Sequence, residues 1–127
     1  MERRLTAILV ADVVGFSKLM GKDEAGTLIA VKGLWNELLG PRVTEHSGRI
    51  VKLMGDGALV EFSSVIDAVK CAIAAQRDAA DRNSGSAADE RIEMRIGINL
   101  GDVIIEGEDI YGDGVNVAAR LEKLAKP

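Results

Sequence analysis

Arg49-Ile50-Val51-Lys52-Leu53-Met54-Gly55-Asp56-Gly57-Ala58-Leu59-Val60-Glu61-Phe62 is the stretch on which the fold turns. Two short apolar runs, 49–54 and 58–62, flank Gly55-Asp56-Gly57. Asp-Gly between such runs signals a β-hairpin, because both residues tolerate the positive φ that a tight turn requires. On the N-terminal side, Ala25, Leu28, Ile29, Leu34, Trp35, Leu38 and Leu39 recur at three-and-four spacing. That spacing predicts an amphipathic helix from about 23 to about 46, stopped by Ser47-Gly48, with Pro41 placed to kink or divide it. Residues 5–14 form an apolar run, interrupted at Asp12 and rich in β-branched side chains, which suits a central strand ended by Gly15.

On the C-terminal side, Ser63 or Ser64 can cap a helix that carries Val65, Ala68, Val69, Ala72, Ile73 and Ala75 to about Arg82. Asn83-Ser84-Gly85-Ser86 reads as a loop. Residues 92–100 alternate in polarity and predict a strand with one polar face, 99–102 a turn, and 103–106 a returning strand. Residues 107–114 read as a glycine-rich loop and 115–124 as a helix. The order is β-α-β-β-α-β, then one more strand and a helix. This predicts an α+β fold with a ferredoxin-like βαββαβ core.

With 127 residues, 47% of them hydrophobic, the chain suits one domain, 1–127, with a modest core. A net charge of -4 and a pI near 5.0 offer no basic footprint, so nucleic-acid binding is disfavoured. No apolar run approaches the roughly 20 residues of a membrane span. The apolar start is broken by Asp12 and reads as a strand rather than a signal peptide. The single cysteine, Cys71, precludes an internal disulfide and is compatible with a cytoplasmic location.

In the ferredoxin-like order the first strand lies antiparallel beside the third. Asp12, which ends strand one, then lies near Asp56, which precedes strand three. Two close carboxylates repel unless a hard cation such as Mg2+ or Mn2+ joins them. Asp in Asp-Gly is also a routine hairpin residue, and Asp at a strand end can cap a helix. The spacing alone leaves both readings open. Trp35 and Cys71 read as core, and His46 as a surface or helix-end residue.

Three motifs then point further. They are Ala11-Asp12-Val13-Val14-Gly15-Phe16-Ser17, Lys52-Leu53-Met54-Gly55-Asp56-Gly57, and Asp109-Ile110-Tyr111-Gly112-Asp113-Gly114-Val115-Asn116-Val117-Ala118-Ala119-Arg120. In that order they resemble the catalytic domain of class III nucleotidyl cyclases, the adenylate and guanylate cyclases. The resemblance implies that Asp12, Asp56 and the carbonyl of Val13 hold two Mg2+ or Mn2+ ions per site. It implies that backbone N–H groups of Gly15, Phe16 and Ser17 meet the triphosphate of the substrate, and that Lys52 and Asp109 read its base. Asn116 would orient the ribose and Arg120 would stabilise phosphate charge. Lys52 can only donate and ionised Asp109 only accept, which matches adenine and mismatches guanine.

The expected activity is therefore that of an adenylate cyclase, making 3′,5′-cyclic AMP and pyrophosphate from ATP. The family builds its sites across a dimer, so the resemblance implies a homodimer with two shared sites. Family domains continue past the helix at 115–124 with further strands, so the chain is expected to be a catalytic domain incomplete at its C-terminus. The rival readings are a guanylate cyclase and a non-catalytic nucleotide-binding or dimerisation module derived from a cyclase. A diguanylate-cyclase-like or polymerase-palm-like enzyme is disfavoured by the Asn116/Arg120 pair and by the Lys52/Asp109 polarity.

Overall fold

The computed structural model describes residues 2–87 and 90–127. Its elements are β1 (Glu2–Val13), α1 (Phe16–Lys22), α2 (Glu24–Gly33), a π-helical segment (Leu34–Leu39), α3 (Gly40–Glu45), β2 (Gly48–Met54), β3 (Gly57–Phe62), α4 (Val65–Asn83), β4 (Met94–Glu106), β5 (Asp109–Tyr111) and α5 (Asp113–Leu124). The five strands form one antiparallel sheet in the order β2-β3-β1-β4-β5. The first four strands have the ferredoxin-like order, with β1 between β3 and β4.

Strand periodicity sorts β1 into two faces. Ala7, Leu9, Ala11 and Val13 join Ala58, Val60 and Phe62 under Leu34, Trp35, Leu39 and the small face of α4, made by Ala68, Cys71, Ala75 and Ala79. Ile8 points the other way, into a second cluster with Leu59, Val103, Ile110 and Ala118 of α5. The sheet curls over this second face until its outer strands touch. Lys52 of β2 pairs with Asp109 of β5, and Arg49 of β2 donates to the carbonyl of Glu108.

The hairpin, the central strand and the Ser64 cap of α4 follow the sequence reading. Asp67 N–H donates to Ser64 Oγ at 3.4 Å. Four readings need correction. The helix expected from 23 is preceded by α1, and Asp23 divides the two by accepting from Gly26 N–H at 3.0 Å. Pro41 does not break the path. Gly40 N–H bonds back to the carbonyl of Trp35, so one turn widens to π geometry ahead of the proline, which supplies no N–H of its own.

The turn expected at 99–102 is absent: Asn99, Leu100, Gly101 and Asp102 all pair with β1 inside one continuous strand. Its glycine serves close packing instead, since a Cβ on Gly101 would sit 3.0 Å from Gly114 Cα. Gly97 does the same farther along, where a Cβ would meet the Ala118 carbonyl at 2.7 Å. The extra strand is β5, inside the stretch read as a loop.

Glu61 anchors the end of the sheet opposite the Asp56 turn. It is 8% exposed, and Arg4 donates to both its oxygens at 2.8 Å while Arg49 donates at 3.0 Å. Burial pushes its carboxyl upward, but the hydrogen bonds from Arg4 and Arg49 outweigh that and hold it below the ordinary 4.5. An acid whose folded-state pKa is depressed stabilises the fold above its ordinary pKa, and that contribution fades as pH falls through the folded value. Glu61→Gln should therefore lower stability at neutral pH and flatten its decline below about pH 4.5. The expected neutral-pH loss is about 1–3 kcal/mol, because both arginines are nearly half exposed and screened. Urea unfolding across a pH series measures both effects.

Candidate active site

The antiparallel register puts Asp12 opposite Gly57, the residue after Asp56. Val13 N–H donates to the Asp56 carbonyl at 2.9 Å, locking the end of β1 to the hairpin turn. The turn is also held from behind: Trp35 Nε1 donates to the Gly55 carbonyl at 3.4 Å. Trp35 thus belongs to the core, as its spacing predicts, and also braces the turn that carries Asp56.

The side chain of Asp12 is 22% exposed, and its Oδ1 accepts from Arg95 Nε at 3.4 Å. The same Arg95 Nε lies 3.4 Å from Glu122 Oε1. Glu122 is 2% exposed. Burial, then the neighbouring Asp12, pushes its carboxyl up to about 7 against the pull of Arg95. Neither Arg95 nor Glu122 stood out in the sequence. The signal was there: Gly114, Ala118 and Glu122 form the buried stripe of α5, and a carboxylate on such a stripe calls for a partner.

After Asp12 the chain reaches Gly15, which adopts φ 64 and ψ 32 as the cap of α1. That left-handed conformation is natural to glycine. No side chain caps this helix, and first-turn N–H groups such as those of Phe16 and Ser17 have no acceptor within the helix. They can receive an anion.

Lys52 and Asp109 meet across the curled edges, with Nζ donating to Oδ2 at 3.0 Å. Lys52 Nζ also lies 5.4 Å from the centroid of the Tyr111 ring. The Lys52 hydrogen bond holds the Asp109 carboxyl below its ordinary value. Asp109 Oδ1 accepts from the Ile110 N–H at 2.8 Å, which fixes its orientation.

Asn116 and Arg120 share the outer face of α5, opposite the buried stripe, and both are exposed. The Arg120 side chain is 70% exposed and 4.0 Å from a still more open Asp113. Among the described residues, no hydrogen bond or ion pair joins Arg120 or Asn116 to Asp12, Asp56, Lys52 or Asp109. The fold therefore brings together Asp12 with Asp56 and Lys52 with Asp109, and it leaves Asn116 and Arg120 facing outward.

The donor set suits a hard divalent ion. Asp12 and Asp56 supply carboxylate oxygen, and a guanidinium already rests on Asp12 as a positive charge. Among the described residues no three His, Cys, Asp or Glu side chains gather to hold an ion. One or two carboxylates completed by substrate phosphates is the usual form of a magnesium site. No described helix is long and apolar enough to cross a membrane.

Comparison with known proteins identifies the family of the fold. The family model described as the adenylate and guanylate cyclase catalytic domain matches residues 3–127. A protein of Rhizobium meliloti (strain 1021), provisionally named adenylate cyclase 3, is 50% identical over all of this chain and 22% of its own length. An adenylate cyclase of Streptomyces coelicolor is 32% identical over 98% of this chain and 31% of its own. The chain thus spans less than a third of these curated relatives. A crystal structure of an adenylate/guanylate cyclase/hydrolase from Silicibacter pomeroyi superposes with a TM-score of 0.92 at 45% identity, covering 99% of this chain and 73% of that one. The chain belongs to the adenylate and guanylate cyclase catalytic-domain family.

Proposed function

We propose that this chain converts ATP to 3′,5′-cyclic AMP and pyrophosphate, at two sites shared between two copies of itself. The observation that carries the choice of ATP is the Lys52–Asp109 pair. A lone donor and a lone acceptor stand 3.0 Å apart. Adenine offers the complementary edge, an acceptor at N1 and a donor at its 6-amino group, while guanine offers the reverse. Asp109 stays ionised because its carboxyl is held low by Lys52, so the polarity is fixed across the neutral range.

In this reading Asp12 and Asp56, with the Val13 carbonyl, hold Mg2+ or Mn2+. Divalent ions held there would supply Lewis acidity toward the ribose 3′-hydroxyl and the α-phosphate. The Gly15 turn presents the Phe16 and Ser17 N–H groups to the triphosphate. Asn116 orients the ribose. Arg120 meets the charge that builds on the transferring phosphate, a task suited to a permanently charged planar fork. The 3′-oxygen bonds to the α-phosphorus as its proton passes to solvent, and the bond from the α-phosphorus to the bridging oxygen breaks, so that pyrophosphate leaves with that electron pair.

The outward face of α5 supports a shared site. Among the described residues Arg120 makes no hydrogen bond or ion pair with Asp12 or Asp56 of its own chain, and its guanidinium lies 4.0 Å from the exposed Asp113. A second copy related by a two-fold axis would receive it and return the same contact. The test is to incubate the purified chain with ATP or GTP plus Mn2+ and measure cyclic nucleotides. Cyclic AMP is expected, with specific activity falling on dilution. Cyclic GMP as the main product would overturn the base assignment. Nucleotide binding with no product would make the chain a binding module.

A further inference from the structure

Arg95 stands between two carboxylates and satisfies only one of them. It lies on β4 directly across from Asp12 on β1. Glu122 reaches the same place from α5, whose backbone closes on β4 at Gly97, two residues farther along. Arg95 Nε is 3.4 Å from Asp12 Oδ1 and 3.4 Å from Glu122 Oε1. Its single N–H is given to Asp12. Glu122 Oε1 is left buried with an ion contact and no hydrogen bond. Buried polar atoms are rarely left so, and each such case asks for a reason.

A guanidinium on Asp12 opposes the arrival of a divalent cation, because it shares the sign of the cation and occupies its ligand. It stops opposing if it has another acceptor within reach, and the orphaned Glu122 oxygen is that acceptor. We propose that Arg95 is a counter-charge that passes from Asp12 to Glu122 when Asp12 and Asp56 take a divalent ion, which makes Arg95 and Glu122 positioning residues of that site. The inference rests on the reading of Asp12 and Asp56 as the metal carboxylates. The exchange needs no covalent step. Asp12 trades a guanidinium for a metal ion, and Glu122 Oε1 gains the hydrogen bond that this atom lacks.

The test is a Mn2+ titration of the chain without nucleotide, read by loss of the free-ion electron paramagnetic resonance signal. Asp56→Ala is the control, and Glu122→Gln, Arg95→Gln and the double variant are compared with the wild type. Glu122→Gln is expected to weaken Mn2+ binding about tenfold, the lower range of effects from residues behind metal ligands. Arg95→Gln should tighten it, and the double variant should bind like Arg95→Gln alone. A mere loss of negative charge would weaken binding equally with or without Arg95, and that result overturns the exchange. So does an unchanged affinity in Glu122→Gln, even where its metal-free unfolding midpoint moves. Should the wild type bind Mn2+ no better than Asp56→Ala, the carboxylate-pair reading itself fails. Tight wild-type binding lost in Asp56→Ala, beside an unaffected Glu122→Gln, sinks only the exchange.

Discussion

Asp56→Ala is expected to lower cyclic AMP formation by about 10³-fold or more while the chain stays folded. The substitution removes one of the two carboxylate residues that the pairing of β1 with the hairpin brings to one edge of the sheet, and with it half of the carboxylate charge that would hold a divalent ion. Preorganised charge at a phosphoryl centre is worth several kcal/mol of barrier, and about 4 kcal/mol corresponds to 10³-fold. The fold has little need of the carboxylate, since the contact that ties this turn to β1 runs from Val13 N–H to the backbone carbonyl of Asp56. Alanine keeps that carbonyl. Circular dichroism should therefore be unchanged, and the loss should appear in kcat. An Asp56→Ala chain with near wild-type turnover would remove the carboxylate pair from the chemistry.

The second large effect concerns the base. Exchanging the two partners, as Lys52→Glu with Asp109→Lys, preserves an ion pair across the curled sheet edge and reverses its hydrogen-bonding polarity. Sites built to hydrogen-bond a polar edge reject the mismatched one by as much as 10⁴-fold. The exchanged chain is expected to shift its ATP-to-GTP ratio of kcat/KM by about 10²–10⁴-fold toward GTP, with a smaller loss of overall rate. Single substitutions should lose activity toward both nucleotides, since each leaves one charge unpaired. A measured ratio that does not move would show that the base is read elsewhere.

Much of this arrangement was legible in the residues because local chemistry wrote it there. Gly55-Asp56-Gly57 between apolar runs can hardly be anything but a hairpin, and a βαββαβ order then fixes β1 between β3 and β4. Asp12 and Asp56 follow from that order alone. The misread pieces have physical causes. Glycine serves both tight turns and close approaches, so Asn99-Leu100-Gly101-Asp102 looked like a turn when Gly101 was making room for α5. The three-residue β5 is too short for any periodicity to show. Helix α1 is short, carries Gly21 and buries none of its residues fully, so it lacks the stripe that marks a helix.

The residues behind Asp12 were hidden for a different reason. Arg95 is 83 positions from Asp12, and only the pairing of β1 with β4 joins them. Glu122 joins them through α5. Its two neighbours on the outer face, Asn116 and Arg120, carry the motif and draw attention away from the buried stripe. In the proposed reading α5 serves two purposes at once, with one face backing the carboxylates of its own chain and the other offered to a second copy.

That division is the central claim, and mixing two inactive chains tests it most directly. In the proposed reading Asp56→Ala lacks the metal half of the site and Arg120→Ala lacks the phosphate half, so each alone should form almost no cyclic AMP. If sites are shared between copies, an equal mixture forms heterodimers in which one of the two sites is whole. Random pairing then returns about a quarter of wild-type activity, because half the dimers are mixed and each carries one working site of two. Activity in the mixture no greater than the sum of the separate variants, with heterodimers shown to be present, would contradict a site built from two copies.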